Sequence, residues 1–255
     1  MALPRLIGMV HLEPLPGAPG YEGSMRHVID RARSDARLLV AAGFEGMMVE
    51  NFGDAPFYAE DAPKVTIAAM TLAIAEVASA GLPIGVNVLR NDALGALAIA
   101  AAVEAAFVRV NVLSGIMYTD QGPIVGRAAE VARTRTALAP NTAIMADVFV
   151  KHATPPAGLS LVDATNDLVE RAGADAVIVS GSGTGAPTSL DDLRTVAERS
   201  DLPVFVGSGA THATIREILS IADGAIVGSD TKVGGIATNP VDPERAAAVV
   251  HAANR

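Results

Sequence analysis

Short apolar runs recur along the chain. Each is closed by a polar or Gly-rich break and followed by a stretch with apolar residues at helical spacing. Leu6-Ile7-Gly8-Met9-Val10 is the first run, and the Pro- and Gly-rich segment from His11 to Gly20 cannot extend it. Ser24 then caps a helix in which Met25, Val28, Ile29, Ala32, Ala36, Leu39 and Val40 share a face, and Gly43 ends it. Further strands are predicted at Gly46 to Asn51, Ile84 to Leu89, Phe107 to Val112, Ala143 to Val150 and Asp175 to Gly181. The last two lie in the segments Leu202 to Thr211 and Ala222 to Ser229.

Helical patterns separate these runs. They cover Pro63 to Ser79, the Ala-rich run after Asp92, and a segment opened by Gly122-Pro123 that carries Val125, Ala128 and Val131. They continue with Leu161 to Ala172, the segment after Ser189, a short one marked by Ile215, Ile218 and Leu219 with Thr211 as its cap, and one begun by Asp242-Pro243. Ala42-Gly43-Phe44-Glu45-Gly46, Ala172-Gly173-Ala174-Asp175-Ala176 and Ile221-Ala222-Asp223-Gly224-Ala225 each lead straight into a strand, as βα repetition requires. Eight strand-then-helix units predict an α/β protein of the (β/α)8 TIM barrel type. The 255 residues form one domain, 1–255, with no linker. A doubly wound open sheet is disfavoured, because the G-x-G-x-x-G turn after the first strand is missing.

Composition narrows the picture. Half of the residues are hydrophobic, enough for a large core, and no uninterrupted apolar stretch reaches membrane-span length. Membrane insertion is therefore not expected, and a cytoplasmic location is the default. A net charge of −9 without Lys/Arg clusters argues against nucleic acid as a partner. Cys is absent, which removes disulfide and thiolate chemistry. A homo-oligomer is compatible with all of this.

Side chains alternate along a strand, so parity assigns the barrel interior. Ile84, Val86 and Val88 form the outer set of the third strand and leave Asn87 inside. Val108, Val110 and Val112 leave Arg109 and Asn111 inside, and the fifth strand leaves Asp147 and Lys151. The second strand permits an inward Glu50. Glu50 and Asp147 are the candidate proton carriers, Lys151 a candidate anion ligand or Schiff-base amine, and His11 and His152 candidate proton movers. Arg109 could equally serve only to pair with Glu50 or Asp147. A divalent metal on His11, Glu13, Asp147 and His152 stays open, although no spacing such as H-E-x-x-H supports it, and no cofactor is expected.

The two last strands both end in Gly-Ser. Gly207, Ser208, Gly209, Gly228 and Ser229 therefore form a candidate phosphate cradle, at the position where such barrels bind phosphate. Lys232 could assist. Asp230 would oppose an anion if it pointed inward. With His11, Asn87, Arg109, Asn111 and Ser180 as substrate-binding residues, the pattern predicts a small phosphorylated sugar or nucleoside as partner. The predicted enzyme is of the sugar-phosphate isomerase or lyase kind.

The chain also resembles the BtpA (BtpA/SgcQ) family across nearly its whole length. The resemblance rests on Met9-Val10-His11-Leu12-Glu13-Pro14-Leu15-Pro16-Gly17, Val49-Glu50-Asn51-Phe52-Gly53-Asp54, Gly85-Val86-Asn87-Val88-Leu89-Arg90-Asn91-Asp92 and Arg109-Val110-Asn111. It continues in Thr119-Asp120-Gln121-Gly122, Ala146-Asp147-Val148-Phe149-Val150-Lys151-His152, Val179-Ser180-Gly181-Ser182-Gly183-Thr184-Gly185 and Thr238-Asn239-Pro240-Val241-Asp242-Pro243. The resemblance implies a barrel similar to the ribulose-phosphate-binding barrels. It also implies a second function class, a non-catalytic assembly or stability factor of the photosystem I biogenesis type. Asp230 departs from the small hydroxyl residue usual in the family at that place.

Overall fold

The computed structural model describes residues 2–181, 183 and 187–254; Ser182, Thr184 and Gly185 of the motif after the sixth strand lie outside the described residues. The chain begins with β1 (Leu6–His11), α1 (Met25–Ala42), β2 (Gly46–Glu50), α2 (Lys64–Ala78), β3 (Ile84–Asn87), α3 (Ala93–Val103) and β4 (Phe107–Val110). Next come β5 (Ile116–Thr119), β6 (Gly122–Val125), α4 (Ala128–Leu138), β7 (Ala143–Asp147), β8 (Ala153–Thr154) and α5 (Leu161–Asp167). It ends with β9 (Ala176–Val179), α6 (Leu190–Arg199), β10 (Val204–Val206), α7 (Ile215–Ile218), β11 (Gly224–Val227) and α8 (Pro243–Ala253). Eight of the strands close in the order β1-β11-β10-β9-β7-β4-β3-β2. Every barrel pairing is parallel, from Ile7 opposite Gly46 round to Ile7 opposite Ile226.

Helix boundaries follow local chemistry. The Ser24 side chain accepts from the His27 N–H, Ser189 from Asp192 and Asp242 from Glu244 and Arg245, while Gly43 closes α1 in the left-handed conformation. Two segments differ from expectation. Gly122-Pro123 does not open a helix but starts β6, the second arm of an antiparallel hairpin with β5, and α4 begins only at Ala128. In the sheet order β6-β5-β8 Pro123 sits on an edge strand, where its missing N–H breaks no second ladder. The fifth barrel strand stops at Asp147 rather than Val150, and Ala153–Thr154 joins the hairpin as β8. This small sheet is added to the barrel by the loops after β4 and β7.

The predicted parity holds. Met47, Val49, Val86, Val108 and Ile144 pack in the large outer core beneath the helices. Ile7, Met9, Met48, Phe107, Met145, Ile178, Phe205 and Ile226 fill the barrel floor. A Cβ on Gly85 would lie 1.9 Å from Phe107 Cε2, so the floor closes only because Gly85 yields its space to that ring. Gly85→Ala is expected to cost about 1–3 kcal/mol by overpacking. A second change, Phe107→Leu, should return part of that loss in urea titrations.

Candidate active site

Above this apolar floor the inward positions turn polar, and the C-terminal strand ends become the mouth of a cavity of about 420 Å³. His11, Glu50, Arg109 and Lys151 line one side. Gly207, Ser208, Gly209, Gly228 and Ser229 line the other, with Asp230 and Arg245. The expected catalytic and cradle residues thus meet across one space, except for two. Asp147 lies behind Arg109, and His152 sits exposed at the rim of an adjoining chamber of about 680 Å³.

Arg109 and Asp147 form a buried bidentate pair, with Nε to Oδ2 and Nη2 to Oδ1 both at 2.8 Å. Ser180 Oγ and Asn111 Nδ2 also donate to Asp147, at 2.8 and 3.0 Å. The carboxylate therefore accepts four hydrogen bonds, two on each oxygen. Burial opposes the Arg109 charge, but the Asp147 carboxylate, with Glu50 adding, more than offsets it and holds the pKa above the ordinary value. Asn111 and Ser180 sit in this supporting layer rather than on the cavity wall, and Asn87 does the same for Glu50.

Glu50 is arranged differently. Asn87 Nδ2 donates to Oε2 at 2.5 Å, while Oε1 is buried without a hydrogen-bond partner among the described residues. Facing Oε1 at 4.0 Å is Nε2 of His11. His11 Nδ1 lies 2.9 Å from the carbonyl of Ala237, and its ring stacks on Phe52 with centroids 4.6 Å apart. Burial, against the raising effect of Glu50, lowers the His11 pKa to about 4. The neutral ring must then donate from Nδ1 to the carbonyl, which leaves a lone pair on Nε2 directed towards Glu50.

The low pKa links protonation to stability. Unfolded His11 takes up its proton near the ordinary 6.5 and folded His11 near 4, so stability is full above about pH 6.5 and declines as pH falls to about 4. The loss should total about 3 kcal/mol, and His11→Asn should flatten that part of a plot of urea midpoint against pH.

Lys151 lines both the cavity and the chamber, and its ammonium makes no ion pair among the described residues. Burial lowers its pKa, with Glu50 offsetting part of the effect. His152 is also lowered, first by partial burial and then by Lys151 and Arg90.

The cradle is built from backbone. None of the described hydrogen bonds uses the N–H groups of Gly209, Ala210 or Ser229. Two glycines also make room for the opposite wall. A Cβ on Gly207 would approach Arg109 Nη2 to 3.0 Å, and one on Gly228 would approach His11 Cε1 to 3.2 Å. Thr211 does not cap α7, which starts after Thr214; its N–H is instead bonded to Thr214 Oγ1 at 3.1 Å.

Asp230 does not stand free in the cradle. Arg245 Nη2 reaches Oδ1 at 2.8 Å, and the His212 backbone N–H and Nδ1 reach Oδ2 at 2.7 and 3.0 Å. Its negative charge is thereby spent on holding Arg245 at the cavity wall. Arg245 is the site residue that parity missed, because it comes from the first turn of α8 and not from a strand. Lys232 does not assist the cradle. It is fully buried against Asp35, Nζ to Oδ2 2.9 Å. Of His11, Glu13, Asp147 and His152, all but Asp147 line the adjoining chamber; Glu13 pairs with His27 and Arg31, and no metal-type cluster occurs among the described residues.

Fold and site together define a (β/α)8 barrel with a Gly- and Arg-lined pocket at the C-terminal mouth, beside a buried carboxylate. The BtpA family model matches residues 3–255, and the chain belongs to that family. A relative from Methanocaldococcus jannaschii is 47% identical over 253 residues, spanning 98% of this chain and 95% of its own. The photosystem I biogenesis protein BtpA of Synechocystis is 45% identical over 249 residues, covering 97% of this chain and 87% of its own. Among solved structures, (S)-3-O-geranylgeranylglyceryl phosphate synthase from Thermoplasma acidophilum, in complex with sn-glycerol-1-phosphate, superposes with a TM-score of 0.61. It is 18% identical and covers 98% of this chain and 92% of that one, which is a likeness of fold. No helix among the described residues is long and apolar enough to cross a membrane.

Proposed function

We propose that the protein is an enzyme that binds a phosphorylated sugar or nucleoside and moves a proton on it, in isomerase- or aldolase-like chemistry. The observation that carries this reading is the pairing of Glu50 Oε1, buried without a partner among the described residues, with the His11 Nε2 lone pair 4.0 Å away. A substrate hydroxyl or an acidic C–H set against the pair, from the cavity side, comes within reach of two bases. The phosphate would lie opposite, on the N–H groups of Gly209, Ala210 and Ser229, with Arg245 beside it and Arg109 beneath.

The remaining residues take roles that follow from their contacts. Asp147 positions Arg109, its oxygens being occupied by Arg109, Asn111 and Ser180. Lys151, with a lowered pKa and no ion pair among the described residues, would stabilise an oxyanion that develops on the substrate or condense with a carbonyl. His152 would contact the substrate's outer end. The complex of the Thermoplasma synthase with sn-glycerol-1-phosphate is consistent with a phosphate ester as ligand of a barrel of this fold. A non-catalytic assembly role has its support in the name of the Synechocystis relative. A scaffold has no use for an unpaired carboxylate buried in its mouth, which favours the enzyme.

Crystals soaked with ribose 5-phosphate should show the phosphate between Gly209, Ser229 and Arg245. Ser229→Glu, which adds a carboxylate to the cradle, should abolish binding. An empty cradle with ligand bound elsewhere would overturn the reading.

A further inference from the structure

We infer that the chamber beside the cradle binds a planar heteroaromatic ring, so that the substrate is a ring-bearing phosphate ester of nucleotide type. This rests on the proposed phosphate site and narrows it. The cavity of about 420 Å³ and the chamber of about 680 Å³ share His11 and Lys151 as lining residues and lie side by side. A sugar phosphate seated in the first would leave the second to water.

The chamber's lining says what displaces that water. Its walls include Pro14, Phe52, Phe57 and Leu89, and Phe52 is already stacked on the His11 ring. Arg90, Asp120 and Gln121 supply polar groups to the same space. Gln121 donates to Asp120 Oδ2 at 2.5 Å, but its Oε1 is buried without a partner among the described residues. Arg90 is 4% exposed, and its guanidinium donates to the Lys151 carbonyl.

A flat heteroaromatic ring has two apolar faces and a polar edge. Its faces suit Phe57, Phe52 and Leu89, and an N–H on its edge suits the idle Gln121 acceptor. An alkyl chain would leave Gln121 Oε1 and the Arg90 guanidinium against hydrocarbon, at a cost for each unpaired polar group. A bare sugar would leave the aromatic walls wet. With the ring here and phosphate in the cradle, the connecting sugar spans the junction where Glu50, His11 and Lys151 stand.

Isothermal titration of the intact chain with inorganic phosphate, ribose 5-phosphate, adenosine, AMP, UMP and nicotinamide mononucleotide tests this. At least one nucleotide should bind about tenfold more tightly than ribose 5-phosphate, the increment a stacked and hydrogen-bonded ring supplies. Phe57→Ala and Gln121→Leu should each erode that advantage; Phe57 is only half-buried and lies outside the core clusters, so the variant should fold. Ribose 5-phosphate binding with no nucleotide tighter overturns the ring chamber and leaves the cradle standing. An advantage untouched by either variant overturns it too. Adenosine binding that Phe57→Ala removes, with phosphate and ribose 5-phosphate both silent, upholds the ring chamber and sinks the cradle. No binding by any probe overturns both.

Discussion

Asp35→Ala is expected to destabilise the protein by about 3–5 kcal/mol, because it leaves Lys232 charged and alone in the interior. Asp35 is 1% exposed and Lys232 0%, and their Nζ to Oδ2 distance is 2.9 Å. The same carboxylate accepts from the Val241 N–H at 2.8 Å, with Arg31 Nε at 3.5 Å. It therefore ties α1 to both ends of the loop between β11 and α8. Burial already lowers the Lys232 pKa, and Asp35 is what chiefly offsets this. In the variant the lysine pKa falls further below its unfolded value. The unfolded chain then binds more protons across that interval, so the variant should regain stability as pH rises and its gap to the parent should narrow. At about 2–4 °C per kcal/mol for a domain near this size, the melting temperature should drop by roughly 6–20 °C. Asp35→Leu with Lys232→Met removes both charges and should recover most of the loss, as urea titration would show. A single variant within about 1 kcal/mol of the parent would show the pair to be dispensable.

The loop held by that pair reaches the site. Ala237, whose carbonyl fixes the His11 tautomer, and Gly235, on the cavity wall, both lie within it. A stability defect at Asp35 should therefore be accompanied by a looser His11, although neither charged residue lines the cavity.

Strand alternation made much of this legible. Val86 and Val108 outside require Asn87 and Arg109 inside, and the barrel has them there. Parity says which face a side chain takes, but not which neighbour it meets. It could not show that Asp147 is saturated by Arg109, Asn111 and Ser180 while Glu50 keeps an idle oxygen. Contacts far apart in the chain were equally hidden. Lys232 reads as a cradle lysine until Asp35, 197 positions away, is found against it. Arg245 carried one usable signal: Asp242-Pro243 fixes the start of α8, and so places Arg245 in the first turn after the last strand. The β5–β6 hairpin is too short for a periodic pattern, and Pro123 fits the first turn of a helix as readily as an edge strand.

Glu50→Gln is expected to lower the rate of proton transfer by about 10²–10⁴-fold while leaving phosphate-ester affinity within a few-fold. The amide is nearly isosteric and can still accept from Asn87 Nδ2 through its oxygen, so the mouth should keep its shape. What disappears is the basic lone pair on Oε1, the one carboxylate oxygen at the cavity that no protein group occupies among the described residues. Solvent deuterium uptake into the bound substrate, followed by NMR, reads that step directly. A second readout separates this effect from a merely structural one. Glu50 raises the Lys151 pKa against the effect of burial, so its neutralisation should lower that pKa further. Acylation of Lys151 should then reach its high-pH rate at a lower pH in the variant than in the parent, since only the neutral amine reacts. Unchanged deuterium uptake with the expected Lys151 shift would leave Glu50 an electrostatic neighbour only and move the base to His11 Nε2, 4.0 Å away.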